Sequence, residues 1–468
     1  MLALIQGKDC LEFLFPRLIS AFCPAFGTGG IAAAKPARVK VNCLKKFCAL
    51  TGVLLALSGA ARAKDDVATQ LGELRAANAL LAAQMRDQKN LIESLARQVG
   101  ELKQGVGAGE SGAATSALGG IDLGRVHVSG EGAVGFFSGG KSSATPNSEF
   151  RVDEAKLFLE APVVENVYFF CELNLAAREA ASISAELGEI YLEFADVSRL
   201  WGRERQLNVR AGRLDIPFGE EYLHRDAIDN PLISHSVADF WGVDEGVEVF
   251  GNLGKFDYVV AVQNGGNGTR DFAGDKSVTA RLGFEPKPWL RMSVSAMRTG
   301  DLHPQNDFFS AMWFGGGFFR SIGSANTTRF HADMVQGDVR LKWKRGHVSL
   351  SGGAVAYGDN DAAANNSRTI YHYAVEAQQR VAGKLYAAAR FSQLFAAGGY
   401  PLVGNGDFGT YLFGVPSTEL WRASVGLGYR WSDSLALKAE YSLERGRTTS
   451  GGKRSDEDLF ALEAAVKF

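Results

Sequence analysis

The sequence predicts an all-β fold: a 16-stranded antiparallel transmembrane β-barrel preceded by an N-terminal coiled-coil helix. Three observations carry this reading. Apolar residues recur with period two from about residue 124 to the C-terminus, the alternating segments number sixteen, and the connections between them alternate long and short. Composition is consistent. The 468 residues hold 50 Lys and Arg against 52 Asp and Glu, which excludes a strongly basic nucleic-acid binder and a polyacidic tail. Hydrophobic residues make up 46 % and mean hydropathy is -0.06, too apolar for disorder and too evenly polar for a helical membrane protein. Glycine is in surplus, at 55 residues. A globular chain of this length would be expected to divide, because single cores stop growing at about 250 to 300 residues.

Taken in order, the chain begins with targeting sequence. Lys45 and Lys46 precede the apolar run 47–57, and Ser58, Ala61 and Ala63 are among the small residues that set up a cut after Ala63. The run is shorter than the about 20 residues of a membrane anchor. It reads as a secretory signal peptide within residues 1–63, and the further apolar stretch at 1–38 reads as an over-extended gene start. Removing the eight basic and two acidic residues of 1–63 leaves 42 against 50, so the exported chain is acidic. Its single thiol is Cys171, because the other four cysteines (10, 23, 43 and 48) lie in the leader, and no disulfide framework is expected.

Residues 64–103 follow with a heptad pattern. Leu71, Asn78, Met85, Ile92 and Val99 fall at the a positions, and Val67, Leu74, Leu81, Gln88, Leu95 and Leu102 at d. So narrow a stripe suits a helical partner better than a broad core, so self-association is expected; one amphipathic helix lying on a domain is the alternative. Asn78 and Gln88 in the seam would fix register. Residues 104–120, rich in Gly, Ala and Ser, form a linker. Their Gly107, Gly109 and Gly112 match a dinucleotide-binding pattern only literally, with no strand before them and no helix after.

The domain 121–468 alternates throughout. Trp421, Ala423, Val425, Leu427 and Tyr429 take one face while Arg422, Ser424, Gly426, Gly428 and Arg430 take the other. Charged side chains set among glycines predict a wet interior. Strands are expected at 124–137, 149–161, 165–176, 185–196, 206–214, 243–251, 254–263, 276–285, 288–298, 333–345, 346–357, 369–379, 383–393, 419–431, 434–445 and 457–468. Tight turns are expected at 252–253, 286–287, 345–346 and 432–433, and long loops at 215–242, 299–332 and 394–418. With the first strand running outward, all eight longer loops fall on the external face, which a soluble sandwich has no reason to arrange. Trp289, Trp343, Tyr371, Trp421, Tyr429, Trp431, Tyr441 and Phe468 fall at or near strand ends, where amphipathic rings prefer the headgroup zone. Cys171 shares the apolar face of its strand and reads as a small hydrophobe facing lipid.

Three features together resemble the outer-membrane porins of Gram-negative bacteria, and among them the phosphate-selective porin O and P group. They are the run Gly212-Arg213-Leu214-Asp215-Ile216-Pro217-Phe218-Gly219, the run Trp241-Gly242-Val243-Asp244-Glu245-Gly246-Val247-Glu248, and the terminal Phe468 after an alternating strand. The resemblance covers about 120–468. It implies a cell outer-membrane location among lipid and lipopolysaccharide, a homotrimer, a third external loop folded into the lumen, and a C-terminal phenylalanine read by the barrel-assembly machinery. The arginine ladder and lysine cluster of the phosphate-selective members have no residue-by-residue match.

Pore-lining residues follow from phase and loop order. The third external loop, 215–242, contributes Glu220, Glu221, Arg225, Asp226, Asp229 and Asp239, an acidic set that would favour cations. The wall contributes Arg281, Arg340, Lys342, Lys344, Arg390, Arg422, Arg430 and Lys438 in the inward phase, with Glu440. Opposed acidic and basic sides would set a transverse field across a constriction. The seven histidines are scattered, and no His-Glu-x-x-His, paired-Cys or Gly-x-Ser-x-Gly spacing occurs, so neither an enzyme, a metal site nor a cofactor is expected. The function expected is an outer-membrane channel for passive or weakly selective diffusion of small hydrophilic solutes or ions. The alternative is a structural anchor that reaches the periplasm or peptidoglycan through the coiled coil.

Overall fold

Period-two alternation produces sixteen long strands, close to where the sequence predicts them. They are β1 (His127–Gly139), β2 (Glu149–Val164), β3 (Val167–Ala176), β4 (Glu186–Phe194), β5 (Asn208–Asp215), β6 (Val243–Leu253), β7 (Phe256–Gln263), β8 (Ser277–Lys287), β9 (Leu290–Arg298), β10 (Phe330–Trp343), β11 (Gly346–Asp359), β12 (Arg368–Ala382), β13 (Leu385–Tyr400), β14 (Ser417–Ser432), β15 (Leu435–Thr448) and β16 (Leu459–Lys467). This computed structural model describes residues 126–176, 185–323 and 326–468. The expected signal peptide, coiled coil and linker lie outside the described residues.

Each strand pairs antiparallel with its neighbours in sequence, and β16 returns to β1. Beyond the last ladder pair, the Phe468 N–H donates to the Gly130 carbonyl at 2.9 Å and the Gly130 N–H donates back at 3.1 Å. The sheet therefore has no free edge, the condition for strands to cross a bilayer. Connections keep the predicted parity, but the inner turns sit one or two residues from the expected positions, at 254–255, 288–289, 344–345 and 433–434. The strands run on because neighbours offer ladder partners to residues such as Asn252 and Leu253. The one long inner connection, 195–207, holds a short 3-10 turn at Val197–Trp201.

Outward residues are apolar and uncovered: Val425 is 58 % exposed, Leu427 55 % and Val294 49 %. In lipid this is the favourable arrangement. Trp289, Trp343, Trp431 and Phe468 mark the inner rim, whereas Tyr441 lies in the middle of β15. Cys171 stands opposite Leu159 and Ile190 on the outward phase and is covered by its neighbours.

The interior is only partly as expected. Reading the register across β9 to β14 gives layers around the inner wall. Near the external end Met297, Met334, Val355, Ile370 and Ala396 lie side by side. The next layer holds Ser295, Gln336, Gly353, His372, Leu394 and Leu420. Below come Ser293, Asp338, Ser351, Ala374, Ser392 and Arg422, then Arg291, Arg340, Ser349, Glu376, Arg390 and Ser424. The external third of this half-wall is thus apolar, and it is covered from inside. The loop 299–329 sends in a hairpin, Phe309–Phe314 and Gly317–Arg320, turned by Gly315 and Gly316, both at positive φ. Phe309–Phe314 also pairs with the short strand Phe240–Trp241 at the end of the third loop. Phe240, Met312, Phe314 and Phe319 bury against Met334, Val355, Ile370, Leu394 and Leu420 in one cluster. A uniformly wet lumen is therefore corrected. Each fully buried ring or branched chain stabilises the packing by about 1.5 to 3 kcal/mol.

A charge placed on the outward face tests the membrane-facing assignment. Val425→Arg, at mid-strand in β14, should destabilise the barrel by about 2 to 4 kcal/mol, measured as reversible urea unfolding in lipid vesicles. A change under 1 kcal/mol would mean that this face does not meet hydrocarbon.

Candidate functional site

A loop inside a barrel brings peptide groups into a space with no ladder to receive them. The third external loop, between β5 and β6, meets this requirement through the wall's side chains. It turns inward at Gly219 (φ 74°), whose N–H donates to Ser295 Oγ at 3.0 Å and whose carbonyl accepts from Arg281 at 3.1 Å. A side chain there would also run into Gln336, 2.6 Å from the place of its Cβ.

From Gly219 the chain crosses to the opposite wall. Glu220 is gripped by Arg291 through two bonds of 2.9 and 3.0 Å, and His224 meets Arg340 at 2.5 Å. Asp226 then reaches Lys156 on β2 at 2.6 Å, and the Ala227 N–H donates to Glu154 at 2.9 Å. Carbonyls of Ala227 and Leu232 accept from Lys438, that of Ile228 from Arg430 at 3.0 Å, that of Ser234 from Arg390 at 2.6 Å and that of His235 from Arg422 at 2.7 Å. The N–H groups of Ile233 and Ser234 donate to Glu440 at 2.5 and 2.8 Å, and the Ser234 hydroxyl donates to the same carboxylate. Glycine makes room for this docking, since a Cβ at Gly426 would stand 2.7 Å from Leu232.

The wall cations are also paired to wall carboxylates: Arg390 with Glu376, Arg422 with Glu444, and Lys438 with Glu463. A buried ion pair is worth keeping only when its remaining donors are satisfied, and here the loop carbonyls satisfy them. Within the loop Arg225 binds Asp239 at 2.8 Å and stacks 4.4 Å from the Trp241 ring, while Glu221 accepts from the Ser236 N–H and hydroxyl. Asp229 is half exposed, 3.9 Å from Lys467. Lys342 is exposed near the inner end of β10, and Lys344 is exposed in the turn that follows. Of the residues named from the sequence, the structure therefore places Arg390, Arg422, Arg430, Lys438 and Glu440 under the loop, Arg281 against Gly219 and Tyr222 where the loop turns in, and Glu220 and Arg340 along its open flank.

Two features went unread in the sequence. Lys156 gathers Glu131 at 3.2 Å, Glu154 at 2.8 Å and Asp226 at 2.6 Å on the opposite wall, its ammonium filling the space a cation would take among these carboxylates. Burial works against the charge on Asp226, but Lys156 outweighs it and holds the carboxyl below its ordinary range. The period-two pattern of β1 and β2 contained this pairing, since Glu131 faces Lys156 in the register. The second is the aromatic hairpin, announced by six aromatic residues within 308–319.

Beside the loop lies a cavity of about 620 Å³, open solvent included, between Glu220, Glu221, His224 and Pro231 on the loop and β9 to β13 on the wall. Arg291, Asp338, Arg340, Glu376 and Arg390 line it with Ser293, Ser349 and Ser351. Arg291 and Arg390 are held by carboxylates; Arg340 instead makes its hydrogen bonds to Ser349 Oγ at 2.9 Å and to His224. Burial and then the Arg340 charge push the His224 imidazole below its ordinary 6.5, so it is neutral at pH 7.

No protein-family profile matches the sequence, and no curated protein matches it. Solved structures similar in shape include the outer-membrane channel DcaP of Acinetobacter baumannii, at 14 % identity and TM-score 0.48, covering 73 % of this chain and 97 % of that one. An anion-selective porin from Comamonas acidovorans is similar at 11 % identity and TM-score 0.48, covering 73 % and 98 %. Pseudomonas putida OprB is similar at 10 % identity and TM-score 0.46, covering 77 % and 99 %. At such identities nothing about what those proteins pass or bind carries over to this chain.

Glu440 is the test of the docked loop. Glu440→Ala strands the Ile233 and Ser234 N–H groups, each bond to a charged acceptor being worth about 1.5 to 3 kcal/mol. The expected result is a looser third loop, read as faster hydrogen exchange at Ile233 and Ser234 in a barrel of unchanged β content. Unchanged exchange there would show that Glu440 does not hold the loop.

Proposed function

We propose that this protein is an outer-membrane channel through which small hydrophilic solutes and ions diffuse with weak charge selectivity. The observation that supports this best is the charged cavity left between a pinned inward loop and the wall of a closed barrel whose outer face is apolar. Its charges largely cancel, as in the Glu220–Arg291 and Glu376–Arg390 pairs, so no single sign dominates the passage. Within this reading Glu220, Glu221, Arg340 and Arg390 of the set named from the sequence line the open space, while Arg422, Arg430, Lys438 and Glu440 hold the loop that narrows it. The heptads of 64–103 support self-association, and the motifs at 212–219 and 241–248 with Phe468 support kinship with the phosphate-selective porin O and P group, a kinship that implies a homotrimer.

The purified full chain in a planar bilayer should show stepwise openings; persistent silence from folded protein would favour a structural anchor instead. Reversal potentials in a salt gradient should give a cation-to-anion ratio close to one. Arg340→Gln, which removes the cavity guanidinium that has no carboxylate partner, should raise that ratio by about twofold. A ratio that does not move would take Arg340 out of the ion path.

A further inference from the structure

The apolar packing at the external end encloses one imidazole. His372 points inward from β12, is 3 % exposed, and packs edge-on against Phe240 of the third loop and Phe314 of the aromatic hairpin, with ring centroids 5.0 and 5.9 Å away. Neither ring nitrogen has a hydrogen-bond partner. Its register neighbours, Gly353 on β11 and Leu394 on β13, bring no acceptor side chain.

We infer that the hairpin 309–320, docked on Phe240–Trp241, is a gate over the external half of the lumen, and that protonation of His372 undocks it. The proposal rests on the channel reading and adds regulation to it. The charged groups nearest in the fold are already engaged elsewhere. Asp239 on the loop is bound by Arg225, Asp338 on β10 by Gln336 and Ser293, and Glu376, two inward positions along β12, by Arg390. Arg368 at the other end of that face bonds carbonyls of its own region, and Arg320 of the hairpin bonds the Leu412 carbonyl. None offers a counter-charge to an imidazolium in this pocket. Phe240 and Phe314 belong to the two inserted segments, so their withdrawal is the movement that opens the ring to water.

The sign follows from linkage. With the gate withdrawn, His372 titrates near its ordinary value of about 6.5; with the gate docked, the proton has no partner. Docking is therefore strongest above about pH 6.5 and is lost below it. If the docked state takes up no proton, the ratio of docked to withdrawn gate falls by about a hundredfold between pH 7.5 and 4.5.

The test uses the full chain in lipid. Hydrogen exchange at 309–314, corrected for the intrinsic effect of pH, should show protection at pH 7.5 that is lost at pH 4.5, with conductance rising in parallel. His372→Leu should keep protection at both values, and His372→Gln serves if the apolar variant does not fold. His331→Asn, which removes a histidine at the external end of β10 that sits outside the cavity beside Asp301 and Asp333, should leave the response intact. Protection that does not change with pH in the parent, or a response that survives in His372→Leu, overturns the proposal. The two readings fail separately: a His372-dependent loss of protection without any current sinks the channel and supports the gate movement, whereas current without a change in protection does the reverse.

Discussion

The return of β16 to β1 is the constraint on which the rest of the structure depends. A strand in hydrocarbon has no water to take its peptide groups, so an unclosed sheet would leave two edges of bare N–H and C=O groups, each costing several kcal/mol. Sixteen strands paired in sequence order, with Phe468 and Gly130 exchanging bonds past the end of the ladder, leave none. Closure also makes the outer face apolar by necessity and frees the inner face from that rule. Every functional feature of the molecule is a use of that freedom.

The first use is to receive chain that does not belong to the ladder. The third loop carries its own peptide groups into the lumen, and the wall answers with Arg390, Arg422, Arg430, Lys438 and Glu440. Inward charge on β13 to β15 is thus structural first. Arg390, Arg422 and Lys438 also lie in ion pairs with wall carboxylates, which keeps their field short-ranged and leaves the flank around Glu220, Arg291 and Arg340 to act on a passing ion.

Strand positions and inward phases were legible in the sequence because both depend on an alternation that each strand states for itself. The fate of individual charges was not. Phase says that Lys438 points inward; it does not say that a backbone carbonyl of residue 227, more than two hundred positions away, will lie against it. Glu440 shows the same limit: it looks like a lumen carboxylate and is in fact covered by Ile233 and Ser234. The apolar plug was legible in principle. Phe330, Ala332 and Met334 share the inward phase with Asp338 and Arg340, so β10 states along its length that its external end is dry and its inner part charged.

That gradient has a consequence for how the barrel is filled. Water in the lumen is well placed against Arg340, Glu376 and the serines of β9 to β11, but against Met334, Val355, Ile370 and Leu420 it gains little. An inserted segment gains about 25 cal/mol for each Å² of apolar surface it covers. The external end is therefore the part of the lumen that protein fills most favourably, and the loop 299–329, rich in aromatic residues, fills it. Glycine completes the fit where inserted chain meets the wall, as Gly426 does for Leu232. An inward glycine that reads in the sequence as part of a wet interior serves, at this position, as a seat for the loop that narrows the passage.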